Sequence, residues 1–264
     1  MFGAYVRLLA AQVRSQTQYR TSFVIDLAGS MVLTVLDVVS VFVIFSVKGD
    51  LGGFGAREVL LMVGISALAF PLADLAVGNV ERLRVYVRTG MFDAVLVRPL
   101  SALWQLVAMD FAPRRVGRAV QGIAIYVVAL AVAPVDWSVA TALLAVLAPL
   151  AGAVFFASLF VAGATVAFWW IESGEIANGL TYGGLNFTQY PITIYGALFR
   201  RLFAYAVGFA FVAYYPTLAL VDRPDPLGAP AFLGYAAPAI AVMAAVAAGL
   251  AWQTGVRHYR STGS

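Results

Sequence analysis

Long uninterrupted apolar runs constrain this chain more than any other feature. Residues 22–46, 58–80, 138–170 and 234–253 each match or exceed the roughly 18–20 residues that a helix needs to cross the bilayer core. Inside lipid every backbone N–H and C=O must find its partner within the protein, which leaves helices or closed barrels. A barrel would show short segments of alternating polarity, whereas these runs are continuous. The expected fold class is therefore an all-α polytopic membrane protein, a single transmembrane domain over residues 1–264. A composition of 62% hydrophobic and 11% charged residues agrees, since soluble domains are about a quarter charged. The mean hydropathy is +0.89.

Six transmembrane helices are predicted. The first covers about 22–46, ending at Lys48-Gly49-Asp50, and the second about 58–80, with a kink expected at Pro71. A shorter third lies at about 119–133 and a fourth at about 138–170, tilted or bent at Pro149. The last is about 234–253. Between 172 and 221 two topologies stay open. Either 202–221 is the fifth crossing and Arg200-Arg201 is cytoplasmic, or 175–195 crosses and 199–221 is an outer re-entrant hairpin broken near Pro216. Residues 1–20 read as an interfacial amphipathic helix, with Phe2, Tyr5, Val6, Leu9 and Val13 on one face and Arg7, Arg14 and Gln18 opposite. No signal peptide is expected there, because the start is amphipathic rather than uniformly apolar.

The net charge of +4 is no nucleic-acid signature, because the basic residues sit at helix ends and in loops. Segment 81–118 carries seven arginines (82, 84, 88, 98, 114, 115, 118) against Glu81, Asp93 and Asp110. Basic loops are retained in the cytoplasm. Placing this segment inside brings Arg7, Arg14, Arg20, Arg257 and Arg260 to the same side, so both termini are expected to be cytoplasmic.

The residue inventory excludes several chemistries. Cysteine is absent and His258 is the one histidine, so no zinc or haem site of His and Cys can be assembled. There is no Gly-x-x-x-x-Gly-Lys-Ser/Thr string, and the single lysine is Lys48. The chain therefore cannot cradle a nucleotide in the P-loop manner. No constellation of acids, bases or nucleophiles points to catalysis.

Gly90, Phe92-Asp93, Leu96 and Arg98-Pro99-Leu100 resemble the cytoplasmic loop of type-2 ABC transporter permeases, in particular the short bacterial subgroup that works with a separate ATPase. The likeness extends over most of the chain, including the basic amphipathic start and the distal Pro191, Arg200-Arg201 and Pro216. It implies a non-enzymatic permease subunit of an ATP-driven exporter in the bacterial plasma (inner) membrane. The expected cargo is hydrophobic or amphipathic. It also implies a second permease, identical or related, and two ATPase subunits that bind ATP and Mg. The coupling residues implied are Arg88, Gly90, Met91, Phe92, Asp93, Leu96, Arg98 and Pro99, with Phe92 and Met91 as apolar anchors and the charged side chains available for pairing across an interface.

Polar groups within the apolar runs mark a second candidate region. Asp26 and Asp37 are three helical turns apart and share a face with Ser30 and Thr34. A carboxylate near mid-membrane disfavours insertion by about 2.5–3.5 kcal/mol and so should face protein or water. This stripe is read either as a wall of the translocation path or as a permease–permease contact. Asp74 is expected to bond within the Pro71 kink or to pair with an arginine. The alternative function is a proton-coupled secondary transporter using Asp37 and Asp74. No internal repeat of the kind such transporters show is visible. Gly179-x-x-x-Gly183 suggests close helix packing, and Tyr182, Phe187, Tyr190, Tyr195, Tyr214 and Tyr215 suggest an outer aromatic belt.

Overall fold

The structure, a computed structural model, describes residues 29, 39, 40, 42–109, 114–170 and 174–259. The expected interfacial helix at 1–20, most of the first apolar run, and Asp26, Ser30, Thr34 and Asp37 lie outside the described residues. So do Asp110 and Glu172.

Among the described residues every regular element is helical, apart from a lone β-bridge between Leu51 and Phe54. Helix α1 (Ala56–Val77) passes through a 3-10 turn (Gly78–Arg82) into α2 (Leu83–Arg88). The short helices α3 (Met91–Leu96) and α4 (Ala102–Ala108) follow, then α5 (Arg114–Val132), α6 (Val139–Thr165) and α7 (Gly174–Thr188). Next come α8 (Ala197–Phe199), continued by a π-helical stretch (Arg200–Val207), and α9 (Tyr214–Leu220). The last is α10 (Ala237–His258).

Local chemistry sets several of these boundaries. The Glu58 carboxylate accepts the Gly55 N–H at 2.7 Å and satisfies one orphan donor at the start of α1. Ser138 and Thr141 cap α6 reciprocally, at 2.7 and 3.2 Å. Pro71 and Pro149 lie inside helices that run on past them. Neighbouring helices make that tolerable in an apolar bundle.

Among the described residues, four helices are long and apolar enough to cross a membrane: Ala56–Arg88, Arg115–Val132, Val139–Phe168 and Ala237–His258. The pair Ala197–Val207 and Phe209–Leu220 qualifies only when taken together, and it is bent by 68°. The second span is thus longer than the sequence indicated. Leu83, Tyr86 and Val87 are buried against the bundle, so the helix continues to Arg88 instead of ending at about residue 80. The third starts at Arg114, and the last runs to His258 rather than residue 253. Consequently the loop proper is shorter than 81–118. Helices α1 and α6 form the centre, their apolar stretches 72% and 61% buried, whereas α5 and α10 flank them at 22% each.

Contacts define two ends. At the arginine-rich end, Arg115 meets Asp74, Arg84 meets Glu175, and Phe92 meets Tyr259. At the opposite end, Thr193 bonds the Gly52 carbonyl, the Asp136 N–H bonds Leu220, and Arg223 pairs with Glu58. Helix α7 leads from Glu175 at the first end toward Thr193 at the second. The bent pair α8–α9 starts and finishes at that second end.

The break in the bent pair is at Gly208, not near Pro216. Gly208 has φ 103, which a residue with Cβ adopts only under strain. Pro216 sits in the first turn of α9, where its missing N–H has no helical partner to lose.

Candidate functional site

The arginine-rich end gathers the residues that the sequence singled out. Gly90, with φ 71, reverses the chain after α2 so that α3 folds back beneath the bundle. Helix α3 has two faces. Phe92 and Val95 are buried, whereas Met91 and Leu96 are exposed, as are the adjoining Val97, Arg98 and Pro99. Arg88 is exposed at the end of α2.

Phe92 requires a correction. Expected as an outward anchor, it is wholly buried, its ring centroid 5.3 Å from Phe168 and 4.9 Å from Tyr259. Aromatic pairs of this kind contribute about 0.5–1.5 kcal/mol each beyond area burial. Phe92 therefore fastens α3 to the ends of α6 and α10, and the exposed apolar strip is Met91, Leu96 and Val97. Asp93 is half-buried in the first turn of α3. Burial and the nearby Asp93 carboxylate push the Tyr259 phenol up.

Two buried amides pin the loop, and neither is among the residues singled out by spacing or resemblance. The Gln105 side-chain amide donates to the Val95 and Leu100 carbonyls, both at 3.0 Å. Asn79 donates to the carbonyls of Val107 and Met109, and accepts from Arg115 at 2.5 Å. An unmet carbonyl in this setting would cost about 1–3 kcal/mol, so each amide holds several residues of loop in place.

Asp74 pairs with Arg115 at 2.9 Å and lies 3.7 Å from Arg118. Its side chain is 7% exposed and that of Arg115 is 11%, so this tie between α1 and α5 is largely desolvated. The arginine partner expected for Asp74 is therefore present. Close by, Arg84 and Glu175 are 3.6 Å apart, but with 42% and 87% exposure this pair contributes little. A small cavity of about 60 Å³ opens there between Glu81, Arg84, Phe160, Gly163, Asn178 and Thr181.

Other expectations change place. Tyr182 stands apart from the distal aromatics, its hydroxyl 3.5 Å from Glu81 and its ring against Phe70 and Phe160. The Gly179 and Gly183 faces meet nothing within 4 Å. The close approach on α7 is instead at Gly184, against Phe209. Among the described residues no group of His, Cys, Asp or Glu is arranged to hold a metal.

Residues 31–263 of this chain match the family model described as "ABC-2 family transporter protein". The chain belongs to the ABC-2 family of transporter proteins. No curated protein and no solved structure matches it. This ABC-2 protein is accordingly a multi-pass membrane permease subunit of an ABC transporter system, which operates with ATPase partners.

Proposed function

We propose that the chain is the permease of an ATP-driven exporter that moves a hydrophobic or amphipathic substrate outward, coupled to a separate ATPase through the loop after its second span. The observation that carries this reading is the two-faced helix α3. Its inner face is locked by Phe92 and Val95, and it leaves Met91, Leu96 and Val97 exposed among arginines. An apolar strip at a charged end marks a protein-binding surface. Gly90, Asp93, Arg88, Arg98 and Pro99 shape and flank it. ATP and Mg belong to the partner.

In this reading the arginine-rich end is cytoplasmic by the positive-inside rule, with both termini on that side of a bacterial inner membrane. The chain is one transmembrane domain of six spans. The first is at 22–46, α7 is the fifth crossing, and α8–α9 are an outer re-entrant element. Favouring this, the bent pair begins beside Thr193 and ends beside Leu220, both at the end opposite the arginines. A second permease, identical or related, and two ATPase subunits complete the transporter. Asp26, Ser30, Thr34, Asp37 and Asp74 are the proposed wall of the path or the permease contact. Proton coupling through Asp74 is disfavoured by its engagement with two guanidinium groups.

Co-purification with the ATPase tests the docking surface. Met91→Glu, Leu96→Glu and Val97→Glu together should release the ATPase while the permease keeps its elution profile and thermal transition. Retention of a fully coupled ATPase would refute the assignment. A cysteine at Leu198, in a chain with none of its own, should label only from outside. Labelling only from the cytoplasmic side would instead make 202–221 the fifth crossing.

A further inference from the structure

Two helices, α6 and α10, hold both the docking helix and the bent segment. They run side by side in the same direction. Near one end Phe92 inserts between Phe168, just past α6, and Tyr259, at the end of α10. Phe168 also meets Trp252 of α10 at 5.6 Å. Further along, the break at Gly208 is seated between the same two helices. A Cβ there would lie 3.2 Å from Phe155 of α6 and 3.3 Å from Ile240 of α10. Phe209 continues the contact, its ring 5.6 Å from that of Phe155. Thirteen residues separate Phe155 from Phe168, a helical rise of about 20 Å.

The seam between α6 and α10 leaves little room to slip. At Gly255 a Cβ would come within 2.5 Å of Phe168 and 2.7 Å of Thr165. Close-packed interiors shift between discrete arrangements rather than deform continuously. A push on Phe92 is therefore shared by both helices. The segment they seat is irregular at the contact point, passing from π-helix through a positive-φ glycine into a 3-10 turn.

We propose that α6 and α10 act as one strut that carries movement of the docking helix to the bent segment, with Phe168, Gly255 and Tyr259 as its positioning residues. This rests on the reading of the α3 loop as the ATPase dock. Continuity in space becomes coupling only if both ends move together, and that is measurable.

The test uses the full permease with its ATPase in nanodiscs, carrying nitroxide labels on cysteines introduced at Leu198, at the start of the bent segment, and Leu227, beyond its end, both exposed. Trapping with ATP and vanadate should shift the label–label distance in the otherwise unaltered protein. Phe168→Ala, which removes the ring contacts to Phe92, Trp252 and Tyr259, and Gly255→Ala, whose Cβ would wedge α10 off Phe168, should each retain the ATPase yet lower the moved population about fivefold. Tyr259→Phe keeps the ring and should keep the movement. An unchanged shift in both variants with the ATPase bound would overturn the strut alone. Release of the ATPase by both variants would make the cluster a docking support and also overturn it. Failure of the unaltered permease to bind any ATPase would overturn the dock, and the strut with it.

Discussion

The two ends of the molecule are closed by different means. At the arginine-rich end the ties are many and interlocked. They include the Asp74 pair with Arg115, the amides of Asn79 and Gln105, and the aromatic cluster of Phe92, Phe168, Trp252 and Tyr259. At the opposite end much rests on one guanidinium. Arg223 bonds both Glu58 oxygens at 2.7 Å, donates to the Gly53 carbonyl at 2.5 Å, and lies 4.3 Å over the Phe54 ring. Around it are a bent helix pair and a proline-rich loop rather than regular spans. Redundant ties resist piecemeal loosening, whereas an end held largely through one residue can loosen when that residue is lost.

Substitutions can break this contrast, and the largest effect should fall at the rigid end. Asp74→Ala leaves Arg115 desolvated without its carboxylate and should destabilise by about 3–5 kcal/mol. The check is the thermal transition in detergent. Asp74→Ala with Arg115→Met should recover much of the loss, because the cost lies in the stranded charge.

Next comes Arg223→Gln. Arg223 is 29% exposed and Glu58 16%, so solvent offsets part of the loss and about 2 kcal/mol is expected. Its distinguishing readout is faster hydrogen exchange across 214–225 with α3 unchanged. Equal loosening at both ends would erase the contrast.

Smaller still is Gly208→Ala. Forcing a Cβ into φ 103 beside Phe155 should cost about 1–2 kcal/mol. That loss should appear in the same exchange measurement, confined to the bent pair. Least of all is Gly179→Ala. The site meets nothing within 4 Å, so the change should be neutral or stabilise by up to about 1 kcal/mol through helix propensity. A drop in the thermal transition would show that this face of α7 is covered in the assembled transporter.

The all-α class and most of the spans were legible in the sequence, because apolar run length depends on little beyond local composition. The arginine-rich loop after the second span was legible as a segment, and Gly90 as its turn. The direction of Phe92 was not, since an aromatic in a short helix reads the same whether it faces inward or outward. The roles of Asn79, Gln105 and Arg223 were hidden for a related reason. Asn79 and Arg223 work through partners far away in the chain, and Gln105 through backbone carbonyls of the preceding loop, and neither spacing nor periodicity registers such partners. Gly208 was hidden by hydropathy, because the apolar run 202–221 continues across the break without a polar mark. Pro216, the more conspicuous residue, drew the break to the wrong place.

Helix length has one more consequence. Val139–Phe168 has 30 residues and Ala56–Arg88 has 33, so at about 1.5 Å per residue each measures roughly 45–50 Å, against hydrocarbon about 30 Å thick. Roughly a third of each helix overhangs the lipid, less whatever tilting absorbs. Bilayers that differ by a few ångströms can then be met by sliding the chain up or down, with the arginine-rich end kept clear of the hydrocarbon. Such a permease should tolerate changes in acyl-chain length that would strand a protein whose rods end flush with the membrane.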